Sequence, residues 1–207
     1  MELVDAIRRR KMTRSFSDDP VDADVLNSIL SDALRAPSAG FSQGCDLVVL
    51  EGLDQTGVFW KATTTPDWRE RSLSGSGLHS RLLRVPVVVV CLANPQAYLE
   101  RYSEPDKAAS GLGLAAGTAA WPVPYWIVDA SFVAMTILLR CTDEGLGALF
   151  FGIFRGAEKL KHELGIPDTM IAMGGIAIGY PGPRNRPSSS IARGRRPFSQ
   201  VVHRGSW

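Results

Sequence analysis

Four short segments carry residue types whose chemistry is specific enough to name. The first is Arg10-Lys11-Met12-Thr13-Arg14, followed by Phe16 and Pro20-Val21. A guanidinium presents a fork of donors that matches two phosphate oxygens, so this run suits an anion. Taken alone it equally describes the solvated basic end of a helix. The second is Arg193-Gly194-Arg195-Arg196-Pro197, an anion site or simply a basic tail. The third, Ala36-Pro37-Ser38-Ala39-Gly40-Phe41-Ser42-Gln43, stops a helix and leads into a strand. Its small polar residues offer backbone groups and hydroxyls to a planar ligand, or form an ordinary turn. The fourth is Phe151-Gly152-Ile153-Phe154, between a strand and a helix, where backbone N–H groups can point at a ligand.

The charge distribution singles out the first two. Of the 23 Lys and Arg residues in 207 positions, five lie in residues 8–14 and five in 184–196. A fold that joined the two ends of the chain would concentrate them around one anion. The net charge of +2 does not by itself demand a polyanionic partner. Three cysteines, Cys45, Cys91 and Cys141, lack metal-like spacing and cannot all pair, which reads as buried thiols in a reducing compartment. Three histidines without a pattern point away from a metal centre. The first residues, MELVDAIRRRK, lack the apolar stretch of a signal peptide. No uninterrupted apolar window approaches ~20 residues, so no membrane span is expected. A cytoplasmic location is the consequence.

The elements that must position these segments follow from periodicity. A short helix is predicted over 3–10. A second begins at Asp22 as N-cap, repeats Val25, Leu26, Ile29, Leu30 and Leu34 at helical spacing, and stops at Pro37. Strands are predicted at 47–50 and at 85–92, the latter a nearly unbroken β-branched run suited to burial on both faces. Residues 54–84 read as polar and irregular with one helix at most. Residues 94–120 read as loops and short helices. A long helix from about Trp126 to Glu144, apolar nearly all round, suits burial in a dimer interface, with Gly145 as its cap. A strand over 146–151, a helix over 157–164 ended by Gly165, and a strand over 170–179 follow. The tail from Tyr180 ends in Val201, Val202 and Trp207, apolar residues that a solvated segment would hardly keep. It is expected to pack on something, with a partner subunit a natural surface.

In this order the segments resemble the nitroreductase family. Arg10 to Val21 matches its opening signature, Ala36 to Cys45 its second, and Ala130 to Phe154 its buried helix, strand and glycine turn. Leu164 to Pro167, Ile176 to Pro181 and Arg193 to Trp207 match three more. Residues 52–84 and 94–125 lie outside the resemblance. It implies one α+β domain over 1–207, a mixed sheet flanked by helices, in an intertwined homodimer with residues 182–207 extending over the partner. It also implies flavin mononucleotide (FMN) as cofactor, with NADH or NADPH as electron donor. Arg10, Arg193 and Arg195 would hold the phosphate, with Lys11 and Met12 in the same segment. Arg14 would approach the ribityl chain or the flavin N1/O2 edge, where charge develops on reduction. Pro37, Ser38 and Ala39 would contact the cofactor from the other subunit; Phe41 and Gln43 count among the cofactor-binding residues, Phe41 either stacking near the flavin or narrowing the substrate slot. The backbone N–H of Gly152 or Ile153 would face flavin N5, the hydride-exchanging atom, the cofactor carrying the chemistry.

Five positions depart from the family pattern. Met12 replaces a phosphate-binding Ser, losing one hydroxyl worth about 1 kcal/mol. Phe41 stands for Asn, Gly44-Cys45 for Pro-Trp, and Ile153 for the second Gly of the turn. The family's usual reaction is a ping-pong transfer from a reduced nicotinamide to a nitroaromatic or quinone. Relatives that consume their flavin to make dimethylbenzimidazole, oxidise peptide-derived rings, or take hydride from a deazaflavin share the fold. Outside the family, a nucleic-acid-binding module using both Arg clusters is the rival reading, against which stands the lack of a recognition helix. A flavin-binding protein without catalysis is a third. Trp121-Pro-Val-Pro-Tyr-Trp126 reads either as an aromatic lid or as a hydrophobic entry to the long helix. Gly111-Leu-Gly-Leu-Ala-Ala-Gly117 imitates a dinucleotide fingerprint but follows no strand, and is set aside.

Overall fold

Four β-branched residues in a row followed by Cys-Leu-Ala favour an extended chain and leave no polar face for water. In the computed structural model, which describes residues 1–74, 81–183 and 189–207, these residues are buried along the whole of one strand. The sheet comprises β1 (Cys45–Glu51), β2 (Val87–Ala93), β3 (Gly147–Phe151) and β4 (Ile171–Gly179), in the order β1-β2-β4-β3. Strand period places Val87, Val89 and Cys91 in one core layer and Val88, Val90 and Leu92 in the other.

All three ladders run antiparallel. The parallel component expected of a mixed sheet reduces to a single bridge, Met12 to Ala148. The reason is that the N-terminal arm stays beside β3 only briefly. The Thr13 N–H donates to the Ala148 carbonyl at 2.9 Å, and then the arm crosses to the exit of β4. There Ser17 donates to the Tyr180 carbonyl at 2.9 Å, and the Gly182 N–H donates to the Ser15 carbonyl at 2.8 Å. Gly147 admits this arm because a Cβ there would come within 2.6 Å of the Thr13 side chain.

One face of the sheet is covered by α2 (Ala23–Ala33) and by the long apolar helix Tyr125–Asp143, against which α1 (Leu3–Arg9) also packs. Asp22 caps α2 as expected, its carboxylate accepting from the Asp24 and Val25 N–H groups at 2.9 and 3.1 Å. The opposite face is covered by α3 (Gly52–Thr63) and a helix over Ala157–Leu164, which pack together. Between them in sequence lie α4 (Pro66–Ser74), α5 (Pro95–Ser103) and α6 (Pro105–Ala108). The helix Tyr125–Asp143 is therefore α7 and Ala157–Leu164 is α8. Two helices occupy 52–74, where the sequence suggested irregular chain with one helix at most; residues 75–80 of that stretch lie outside the described residues. By length and composition α7 could cross a membrane. Instead it holds Ala130, Ile137 and Cys141 fully buried over the sheet and ion-pairs Arg140 with Asp32, Asp143 and Glu144. Gly145, at φ 73°, ends it by lifting Leu146 N–H back onto the Cys141 carbonyl at 2.7 Å.

Burial pushes the Cys91 and Cys141 thiols up to about 12. Burial, with Asp46 and Asp129 nearby, does the same to Cys45. All three therefore stay protonated and inert near neutral pH. The tail over 189–207 is exposed throughout its length, with Trp207 wholly so. It joins neither core layer of its own chain among the described residues, and Arg184 and Arg186 lie outside them.

Candidate active site

Three of the four segments are positioned by the fold, each by a different device. The N-terminal arm is the first. Its pinning to Ala148 fixes Arg10, Lys11, Met12 and Arg14 beside the start of β3. The Met12 side chain turns inward, against both core layers. Arg14 Nη1 donates to the Met12 carbonyl at 3.3 Å. Arg10 is half-buried, and its Nη1 is enclosed by protein without a hydrogen-bond acceptor. An enclosed cationic donor costs free energy unless an anion satisfies it. Other arginines of the protein, Arg84, Arg101 and Arg140, all have carboxylates. Arg10 thus has the state of a residue whose partner is not part of the chain, and a phosphate-bearing cofactor suits this donor.

The second device holds the loop Pro37–Gln43. Gly40, Phe41 and Gln43 adopt φ of 63°, 58° and 51°. For the bulky Phe41 this left-handed conformation is strained, and such strain persists only where surroundings over-determine it. They do so here. The carboxylate of Asp129 on α7, 4 % exposed, accepts the Ala39 N–H at 2.8 Å and the Tyr98 hydroxyl at 2.7 Å. Arg101 on α5 donates its Nε to the Gly40 carbonyl at 2.8 Å, while Asp106 and Glu104 hold its other nitrogens. Ser38 Oγ accepts the Gln43 N–H at 3.0 Å and closes the loop on itself. The result presents the Phe41 ring outward, 74 % exposed. Pro37, Ser38 and Gln43 line a cavity of about 180 Å³ with Tyr98 and Asp129.

Neither Asp129, Arg101 nor Tyr98 was singled out from sequence. Asp129 carried one signal, a lone acid inside an otherwise apolar helix, since a charge there must be paired or hydrogen-bonded. Tyr98 also anchors an aromatic cluster with Trp121 and Trp126, at centroid distances of 5.8 and 6.1 Å. The Trp121–Trp126 segment therefore serves as a hydrophobic entry to α7 and braces the loop through Tyr98 and Tyr102. The Tyr98 phenol is held firmly protonated, by burial first and by its bond to Asp129 second.

The third segment, Gly152-Ile153-Phe154, leaves the end of β3. Ala148 and Gly152 are four residues apart, roughly 13 Å along the strand at ~3.3 Å per residue. Gly152 and Ile153 line a cleft of about 370 Å³, in the range of small-molecule sites. Phe59 and Trp60 from α3 and Phe151 form one wall, with Trp60 stacked on Phe151 at 5.5 Å and 18°. Phe154 stands 94 % exposed at the rim. The fourth segment is not brought to the others by this chain: Arg193 and Arg195 ride on the exposed tail.

An antiparallel sheet between an α2/α7 layer and an α3/α8 layer, with a strained loop and a basic arm at its edges, defines an α+β architecture shared with many solved structures. One is a nitroreductase family protein from Clostridium difficile 630, with a TM-score of 0.71 at 17% identity, covering 100% of both chains. Another is a Desulfovibrio desulfuricans protein assigned as a nitroreductase and solved in complex with FMN, with a TM-score of 0.69 at 19% identity, covering 98% and 95%. The Nitroreductase family model matches residues 7–180, and the chain belongs to that family. Among curated proteins it is similar to a 4-nitrobenzoate reductase from a Nocardioides species, 27% identical over 98% of this chain and 90% of that one. It is also similar to an NADH dehydrogenase from Thermus thermophilus, 26% identical over 95% and 93%. The chain is accordingly an oxidoreductase by family.

Proposed function

We propose that the protein uses FMN to move a hydride from NADH or NADPH to a small acceptor, such as a nitroaromatic or a quinone, and works as a homodimer. The observation that carries this reading is Arg10, whose enclosed Nη1 lacks an acceptor. The arm is fastened to β3, and β3 ends in the Gly152–Ile153 cleft. Arg10 and Lys11, joined by Arg193 and Arg195 of the tail, would hold the phosphate. Arg14 would lie nearer the flavin, and Pro37, Ser38, Ala39, Phe41 and Gln43 would reach the cofactor of the other subunit. The Gly152 or Ile153 N–H would serve flavin N5. FMN bound there supplies two-electron carriage between donor and acceptor in a ping-pong sequence. The chain's own work is to neutralise the phosphate, hold the Pro37–Gln43 loop through Asp129, and shield the cleft with aromatic walls.

The relatives support both halves of the reading: one is named for NADH, one for a nitroaromatic, and a fold neighbour was solved with FMN. Two apolar faces favour a dimer. Leu3, Val4 and Ile7 on α1 and Phe132 and Met135 on α7 are all exposed. The test is the visible spectrum of the purified protein with added FMN, followed by stopped-flow mixing with NADH or NADPH. Bound flavin that bleaches on mixing is expected. Arg10→Ala should weaken FMN binding by roughly 10- to 100-fold, the range for losing a hydrogen bond to a charged group. A colourless protein that ignores FMN would sink the reading.

A further inference from the structure

The cleft at Gly152–Ile153 joins the glycine turn to a stretch of chain that lies between the family's short signatures. Seven of its lining residues, Phe59 to Arg71, come from α3, α4 and the turn between them. Its chemistry is one-sided. Trp68, Phe151 and Phe154 provide apolar surface backed by the buried Phe59 and Trp60, while Arg71 and Arg155 provide two cations. Among the described residues, no Asp or Glu lines it.

The cations are also unspent. Arg84, Arg101 and Arg140 each meet one or more carboxylates. Among the described residues, neither Arg71 nor Arg155 has an acidic partner within 4.0 Å, and neither guanidinium makes a hydrogen bond. Of the neutral polar side chains around them, Trp60 Nε1 is buried without a hydrogen-bond partner, whereas the threonines are engaged. Thr63 and Thr64 return their hydroxyls to the Phe59 and Trp60 carbonyls, and Thr65 Oγ1 accepts the Trp68 N–H. Beyond the backbone N–H groups of Gly152 and Ile153, the cleft offers a ligand aromatic contact area and two cations.

We propose that this cleft, beside the position proposed for flavin N5, is the acceptor site and selects planar aromatic carboxylates, the ring lying against Trp68, Phe151 and Phe154 and the carboxylate meeting Arg71 and Arg155. The inference rests on the proposed function for the word acceptor, but the binding site stands without it. A carboxylate on an aromatic ring is the smallest ligand that uses both features at once. Neutral nitroarenes use only the stacking area.

The test compares 4-nitrobenzoate with its methyl ester, equal in ring and nitro group and different in charge. Binding is read first, by quenching of tryptophan fluorescence in the FMN-loaded protein, without any electron donor. The acid is expected to bind more tightly than the ester, and added salt should erode the difference. In Arg71→Gln/Arg155→Gln the preference for the acid should fall roughly tenfold, the scale of losing charged hydrogen bonds at a partly exposed site. Turnover with NADH or NADPH is read second, as the ratio of kcat/KM for acid over ester, and should fall by the same factor. Charge-dependent binding that disappears in the variant, without turnover in either protein, would uphold the site and remove the oxidoreductase reading. Turnover in which acid and ester are treated alike, or a variant that raises only the KM for the nicotinamide, would overturn the carboxylate site and leave that reading intact.

Discussion

At the scale of single residues, Asp129 shows how a buried charge can serve geometry. It sits in the interior of α7, yet of the two groups bonded to its Oδ2 one belongs to the loop that presents Phe41 and the other to α5 beside it. Replacing its carboxylate by an amide removes one acceptor oxygen and turns a donor toward groups that are themselves donors. We expect Asp129→Asn to lower unfolding stability by about 1.5–3 kcal/mol, the cost of charged hydrogen bonds lost in a buried place. FMN should also dissociate faster as the strained loop relaxes. Denaturant melts and flavin release on dilution measure the two effects. Equal release rates in both proteins would reduce Asp129 to a packing residue. Met12 teaches a related point. The departure from a hydroxyl residue looked like a loss of one ligand contact, but the side chain is absorbed by both core layers. At that position backbone pairing to Ala148 is what the fold uses.

At the scale of elements, Gly156 joins α8 to α3. Its φ is 65°, and a Cβ there would lie 2.0 Å from the Ala62 carbonyl oxygen, near the end of α3. Gly156→Ala therefore adds a clash with backbone to an unfavourable dihedral. It should cost about 2 kcal/mol or more and loosen the Gly152–Arg155 turn. Thermal melting and fluorescence of Trp60 and Trp68 would report both; a melt matching the parent would show that the joint yields cheaply. The legibility of elements in the sequence divides along similar lines. Helix α2 announced itself through Asp22 and its apolar spacing, β2 through unbroken β-branching, and α7 and α8 through Gly145 and Gly165 just past their ends. Helix α3 hid because Gly52 and Gly57 lower helix propensity, so it forms by packing Phe59 and Trp60 under the sheet rather than by local preference. The glycine turn and basic arm could be read as a site because their chemistry is local. Asp129, Arg101 and Tyr98 could not, because their role arises only where α5 and α7 meet a loop distant in sequence.

At the scale of the whole molecule, the two basic ends are left unjoined within one chain. The arm is fixed against β3, whereas residues 189–207 lie exposed with Phe198, Val201, Val202 and Trp207 in solvent. That arrangement argues for a second copy as the surface on which the tail settles. Deleting 189–207 should weaken dimer association and strip flavin, as seen by light scattering across a concentration series and by absorbance after gel filtration. A shortened chain that keeps both its dimer and its flavin would place the tail outside the site.

The crossing at Ser15 and Gly182 carries one more consequence. The strap bearing Arg10 and Arg14 and the root of the departing tail are fastened to each other by paired backbone, through Phe16 and Pro181. Whatever pulls on that root pulls on the strap. In the dimer proposed above, a cofactor clamp in one protomer would be mechanically yoked to the neighbour's embrace, so that loading the flavin and closing the pair would become two readings of a single event.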